Sequence, residues 1–468
     1  MKIKYALSRY VLGGLLFAAG ALLSARGIDL FAALLFGILC FFECAILYLE
    51  GDHVLSLRML FSMSWLGGIT LTNLKLSALQ STWGARMWLT VGLFYFLFMA
   101  GYEVINLLIC QRKKAVLLKA GGDAPPEEEK LLPESKTYSP TYGKRIHTAI
   151  YVVLGLSLLG LLLEAIKFDF VFPIFAEGKP HAYTEFHISG VHYFVVSVVL
   201  VPALSVSYLM KTEVTKKKIA EMLILNLIGM LVPILLLSKF QLALFFAFPI
   251  ILWARTTKRF SRKKLLLFIL GAGLVLAGMF TLMIVLRDYE AGYLENIFKF
   301  KNSRIPMAVQ YPYIYITNNF ENLNILVEKL TRYSYGLRQV YPAVCLTGLK
   351  FVPSVQDFFT WEAVPATIEE LTTVTILYDA YGDFGLLGAG GFGLLIGAVS
   401  AVINELTSRG KGIAGDLIYS QFSVYLGLSF FSVWFSLPAT WFYFAMSILI
   451  GIYAGFKTKK QRGNEYGT

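Results

Sequence analysis

The sequence predicts an all-α polytopic membrane protein, and three observations carry that prediction. Of 468 residues, 57% are hydrophobic and only 15% charged, with a mean hydropathy of +0.64; ordinary globular domains carry about a quarter charged residues. The apolar residues fall in blocks of about 20, the length that crosses about 30 Å of hydrocarbon as a helix. The basic residues fall between alternate blocks. A water-soluble protein is therefore excluded. The net charge of +12 would also suit a nucleic-acid partner, but this many apolar blocks favours the bilayer, and no nucleic-acid partner is expected.

About twelve spans follow in order, near 10–26, 28–49, 54–76, 86–110, 146–168, 188–210, 219–238, 240–254, 265–286, 384–404, 414–435 and 439–456. The first has the basic flank and apolar core of a signal peptide. Leu22 to Arg26 is not a small-residue cleavage site, however, and another apolar run follows at once, so it is read as a span. The third departs most from the template, carrying Arg58, Thr70, Thr72 and Asn73. Only Lys239 separates the seventh and eighth, which predicts a tight helical hairpin.

Orientation follows from Lys and Arg, which resist translocation when close to span ends. The basic loops are Lys2 to Arg9, Arg112 to Arg145, Lys211 to Lys218, Arg255 to Lys264 and Lys457 to Arg462. Threading twelve spans puts all of them on one side, with both termini cytoplasmic. The organisation expected is spans one to four over 1–110, a flexible cytoplasmic linker over 111–145, spans five to nine over 146–286, an outer segment over 287–383, spans ten to twelve over 384–456, and a basic tail over 457–468. About two thirds of the Lys and Arg lie on the cytoplasmic loops, so the net charge describes topology.

The outer segment is the one extramembrane stretch long enough to fold into a site of short helices. It interleaves Tyr289, Tyr293, Tyr311, Tyr313, Tyr315, Tyr333, Tyr335, Tyr341, Trp361, Tyr378 and Tyr381 with Arg287, Arg304, Arg332 and Arg338. Tyr and Trp present an apolar face and a hydrogen-bonding edge, which suits sugar rings, and arginine forks suit phosphate or pyrophosphate. A membrane-interface aromatic belt is the plainer reading for any one of the tyrosines. Lys239 and Arg287 stand at span boundaries, where snorkelling alone would explain either; with Arg304 and Arg338 they would form an anion cage.

Other features carry less chemistry. His181, His187 and His192 lack the spacing of a metal site, so no metal is expected, and His192 is left as a proton acceptor or a packed polar group. Gly385, Gly388, Gly390, Gly391 and Gly393 lack the preceding strand of a phosphate loop; Gly393 and Gly397 instead have the spacing of close helix packing. Cys40, Cys44, Cys110 and Cys345 show neither metal-ligand nor disulfide patterning. Asp383, just before the tenth span, suits a helix N-cap.

Three motifs in order over about residues 185–400 resemble the Wzy-type oligosaccharide repeat-unit, or O-antigen, polymerases. They are Ile188-Ser-Gly-Val-His-Tyr193, Tyr311-Pro-Tyr-Ile-Tyr-Ile-Thr-Asn-Asn-Phe320 followed by Leu323, and Thr375-Ile-Leu-Tyr-Asp-Ala-Tyr-Gly-Asp-Phe-Gly385 with Gly388. The resemblance implies a GT-C-like membrane glycosyltransferase in the bacterial cytoplasmic (inner) membrane. It would join undecaprenyl-pyrophosphate-linked repeat units into O-antigen, capsule or another surface polysaccharide at the outer face. It implies no cofactor, a lipid-linked oligosaccharide and the bilayer as partners, and a chain-length regulator and a flippase as companions. It places Lys239, Arg287, Arg304 and Arg338 on the pyrophosphate, Lys239 keeping the charge of the family's arginine but not its fork. Tyr311, Tyr313, Tyr315, Tyr378 and Trp361 would meet sugar, and Asp383, Asp379, His192 or a water would take the acceptor proton, which the sequence leaves open.

Two rivals are weighed against it. A flippase or exporter would show two related halves and ionisable residues along a midplane path, and no internal repeat is visible. An O-antigen ligase would be expected to carry a His late in the outer segment, and none follows His192; a transferase using polyprenyl monophosphate sugars would want an acidic pair where the first turn has only Asp29.

Overall fold

The computed structural model describes residues 8–119, 140–176, 185–256, 278, 293–408 and 412–455. The ninth span apart from Gly278, together with Arg287, Tyr289, His181, linker residues 120–139 and the basic tail, lies outside them. Among the described residues the regular elements are helices, with one isolated bridge, Ser77 to Phe300.

The longer helices are α1 (Gly14–Ala25, continuing a π-turn Arg9–Gly13), α2 (Asp29–Glu50), α3 (Leu57–Thr72), α4 (Ala85–Lys119), α5 (Pro140–Lys167), α6 (Val191–Lys211), α7 (Lys216–Leu235) and α8 (Lys239–Thr256). After the undescribed stretch come α9 (Tyr293–Phe298), α10 (Met307–Lys329), α11 (Leu337–Leu346), α12 (Pro353–Phe358), α13 (Tyr378–Ser408), α14 (Ile413–Gly427) and α15 (Pro438–Gly455). Seven of these, α2, α4, α5, α6, α7, α13 and α15, are long and apolar enough to cross a membrane, and the chain is an all-α membrane protein. Four further expected spans are also helices: Arg9–Ala25, a shorter apolar helix, and α3, α8 and α14 with 16, 18 and 15 residues. A three-residue turn at Leu236–Ser238 joins α7 to α8, as the hairpin reading expected.

The chain divides into two compact units: Met1–Ala115 with Leu266–Asn404 and Phe422–Thr440, and Val116–Leu265 with Glu405–Gln421 and Trp441–Thr468. In the first, α1, α2, α3 and α4 pack around fully buried Phe36, Phe61, Trp65, Phe94, Tyr95 and Phe98. Ser56 caps α3 by accepting the Met59 amide at 3.3 Å, and Gly51 closes α2 in the left-handed region at φ 99°. Helix α13 lies against α4 through the expected small residues. A Cβ on Gly393 would stand 2.6 Å from the Phe94 carbonyl oxygen, and one on Gly397 2.0 Å from that of Phe98, so only glycine permits this backbone approach.

Helix α10 supports the 367–373 stretch through its amide side chains. Asn318 and Asn322 both donate to the Leu371 carbonyl, at 3.1 and 2.6 Å, Asn322 also accepts the Thr367 amide at 2.7 Å, and Asn319 accepts the Thr373 hydroxyl at 2.6 Å. The irregular 367–373 stretch thus borrows its hydrogen bonds from a helix face.

In the second unit α5, α6, α7 and α8 pack together, tied by buried Glu164 to His192 and by Glu221 to His147 and Tyr151. Lys211 pairs with Asp416 at 2.5 Å.

Candidate functional site

The segment Tyr378–Asp383 begins α13 and is a short helical piece, because Gly385 breaks the helix at φ 59°, ψ −134°. A side chain there would be strained in conformation and would also meet the Tyr333 hydroxyl at 2.6 Å. The break leaves the 378–383 turn facing α11, and two backbone bonds fix it there: Ser334 N–H donates to the Gly382 carbonyl and Tyr335 N–H to that of Asp383, each at 3.1 Å.

Arg338 lies at the centre of this contact. Its Nε donates to Ser334 Oγ at 3.0 Å, Nη2 to the Glu362 carbonyl at 3.1 Å, and Nη1 faces Asp379 Oδ1 at 3.5 Å. The guanidinium stands 5.7 Å from the Trp361 ring and 5.9 Å from that of Tyr378, within reach of cation–π attraction. Gly382 makes room for it, since a Cβ would lie 2.7 Å from the guanidinium carbon. Nearby, Arg86 donates to the Tyr333 hydroxyl and lies over the Tyr381 ring.

Four residues singled out in the sequence, Arg338, Asp379, Tyr378 and Trp361, therefore meet in one cluster, with Asp383 directly beneath. Two of these residues are engaged with the protein itself. Arg338 is only 4% exposed and spends three N–H groups on protein acceptors, so it orients Asp379 and the 361–362 backbone instead of meeting an anion in solvent. Asp383 is fully buried and caps α11, not its own helix: Oδ1 accepts from Ser334 Oγ at 2.7 Å and from the Arg338 amide at 3.2 Å, and Oδ2 accepts from the Gln339 amide at 3.1 Å. These three bonds use most of its acceptor capacity, and full burial keeps it from the surface. Asp379, with its side chain 17% exposed, is the carboxylate of the pair that reaches the surface.

Tyr311 and Tyr313 are engaged within the protein as well. Both are buried: Tyr311 stacks on Tyr315 at 4.6 Å, and the Tyr313 hydroxyl bonds with Gln80 and the Leu71 carbonyl. Their rings pack protein, so neither presents a face to a sugar. Tyr315 is half-buried in the same stack, whereas Trp361 is exposed.

Arg304 is exposed on the segment after α9. His192 and Lys239 belong to the second unit. His192 Nδ1 bonds to Glu164 at 2.9 Å, a carboxylate that also accepts the Ile188 amide at 2.9 Å; Lys239 opens α8.

Sequence reasoning missed three buried charge sites. Arg9, fully buried, donates to Glu43 at 2.8 Å and to Glu103, with Glu50 at 3.4 Å; Arg58 binds Glu50 at 2.7 Å and Asp52 at 2.8 Å. Glu321 on α10 accepts from Ser81 and Trp83 and faces Lys75 at 3.8 Å, and burial pushes its carboxyl up from the ordinary range. Glu164 is the third. Each was visible as a lone carboxylate amid apolar residues, which is costly without a partner.

No family model, no curated protein and no solved structure matches the chain.

Proposed function

We propose that the protein is a membrane glycosyltransferase that polymerises oligosaccharide repeat units carried on undecaprenyl pyrophosphate. In this reading it crosses the bacterial cytoplasmic membrane twelve times in a GT-C-like arrangement, with both termini cytoplasmic and the 287–383 segment outside. The observation that carries the reading is the Asp379–Arg338 pair, roofed by Trp361 and Tyr378, at the head of a membrane-length helix. It is a carboxylate, fixed by a guanidinium and bordered by an exposed Trp and a half-buried Tyr, which suits a base beside a sugar ring.

The chemistry asks little more of the protein. The acceptor hydroxyl attacks the anomeric carbon at the reducing end of the donor glycan, the bond from that carbon to the pyrophosphate oxygen breaks, and the electron pair leaves on undecaprenyl pyrophosphate. Asp379 takes the hydroxyl proton, a role worth about 10²–10⁴-fold in rate. Cations at Arg304 and Arg287 meet the charge developing on the pyrophosphate, which needs electrostatic stabilisation and alignment more than covalent help.

The test is complementation of a strain lacking the chain, reading glycan length on gels beside the level of protein in the membrane. Asp379→Asn and Arg304→Ala should each reduce the product to single repeat units at normal protein level. Full-length polymer from both would end this reading. Repeat units retained on the cytoplasmic face of the deletion strain would make the protein a flippase instead.

A further inference from the structure

Helices α2 and α3 enclose a groove of about 380 Å³ that the catalytic reading does not use, lined by Leu30, Ala33, Leu34, Gly37, Ile38 and Phe41 of α2 with Thr70 and Leu74. The α2 residues recur every three or four positions and so form one stripe. Leu30 and Phe41 are 62% and 76% exposed. They stand eleven positions apart on the helix, which makes the groove about 16 Å long.

What stands at its mouth gives the groove a direction. Beyond Leu74 the chain turns through Leu76 to Ala78, and that turn is bonded to the segment after α9: the Lys301 amide donates to the Leu76 carbonyl and the Ala78 amide to that of Lys299, both at 2.9 Å. The stretch Lys299-Phe-Lys-Asn-Ser-Arg304 holds three cations in six residues, all three exposed. Phe300 packs inward on Tyr313 with ring centroids 5.5 Å apart, so the bridge at Ser77 sends Lys299 and Lys301 to the opposite face. The apolar groove therefore ends two residues short of a turn that is bonded to an exposed basic run.

We infer that this groove and the Lys299–Arg304 run together seat a phosphate-headed polyprenyl lipid, its chain along the α2 stripe and its phosphate on the three cations. The inference rests on the reading that the substrate is lipid-linked, and adds to it the place where the lipid lies. Ala33 and Gly37, one turn apart along the stripe, are its smallest side chains. The cations select the phosphate head by charge-assisted bonds.

The experiment measures binding, not turnover. Full-length protein in phosphatidylethanolamine nanodiscs is titrated with farnesyl phosphate, with farnesol and phosphatidylglycerol as comparators. Gly37→Leu fills the groove without threatening the fold, because a Cβ there meets only a Thr70 methyl at 3.6 Å and leucine is the better helix former. It should weaken farnesyl phosphate binding about tenfold, or about 1.4 kcal/mol. The triple variant Lys299→Ala, Lys301→Ala, Arg304→Ala should erase the preference for farnesyl phosphate over farnesol. Unchanged affinity in Gly37→Leu, or phosphatidylglycerol competing as well as farnesyl phosphate, would overturn the proposal. A protein that binds as expected yet makes no polymer upholds the lipid seat and refutes only the transferase.

Discussion

Asp383 caps the helix that carries Arg338. Its two oxygens take the backbone amides of Arg338 and Gln339, at 3.2 and 3.1 Å, across 45 and 44 residues of sequence. The bond fixes where α11 starts, and hence where the guanidinium projects. Asp383→Asn keeps one acceptor but turns an amide N–H₂ toward a backbone N–H. A buried unmet donor costs about 1–3 kcal/mol, so the variant should melt a few degrees lower and lose activity with stability. If it instead melts like the parent while polymer disappears, Asp383 is the proton acceptor and not a cap.

The helices and the close approach of α13 to α4 were legible, because hydropathy and the Gly393, Gly397 spacing are local properties of the chain. The Tyr378–Asp383 segment was legible too, as a motif before an apolar run. The capping partner of Asp383 was not, and neither was the pairing of His192 with Glu164 nor that of Arg9 with Glu43 and Glu103. Those contacts depend on how each helix is rotated about its axis, which spacing along one strand of sequence does not encode. Tyr311 and Tyr313 misled for the same reason: an aromatic-rich helix has an inner and an outer face, and composition alone does not say which face holds the tyrosines.

Gly382→Ala tests the position of Arg338 without altering its charge. Alanine suits the helical turn at 382, but its Cβ would lie 2.7 Å from the guanidinium carbon, so the flexible side chain must swing away from Asp379. The expected result is near-normal protein level with polymer synthesis down about tenfold or more, in line with the sensitivity of catalysis to small misplacements. Parental activity would mean that the Arg338–Asp379 contact is dispensable.

Glu362 gives the site a defined response to acid. Its carboxylate accepts the amides of Arg332 and Thr331 and the Thr331 hydroxyl, at 2.9, 3.0 and 3.0 Å. The Arg332 amide foremost, with Thr331, holds its pKa below the ordinary value of 4.5. A depressed carboxyl pKa means that the folded state binds the proton less readily than the unfolded chain does, so this tie is fully present above about pH 4.5 and is lost as pH falls through the lower folded value. Hydrogen exchange at residues 331–338, corrected for intrinsic rates, should rise as pH is lowered through that range. Glu362→Gln should show the raised exchange at every pH; a pH profile identical to the parent's would show that the tie does not hold the loop.

Arg9 is the residue on which the first unit's buried charge depends. It and Arg58 together face Glu43, Glu50, Asp52 and Glu103, so carboxylates already outnumber guanidinium groups two to one. Arg9→Met keeps the bulk and removes the charge, leaving Glu43 buried without its partner and Glu103 with Arg58 as its remaining cation. Breaking a buried pair in this way costs about 3–5 kcal/mol, enough to deplete folded protein from the membrane. Glu43→Gln should be far milder, because an amide oxygen still accepts from Arg9 Nε and one excess negative charge is removed. The contrast, read as protein level and thermal midpoint in detergent, separates a required ion network from a solvated one. Equal stability of Arg9→Met and the parent would mean that water reaches the cluster and screens it.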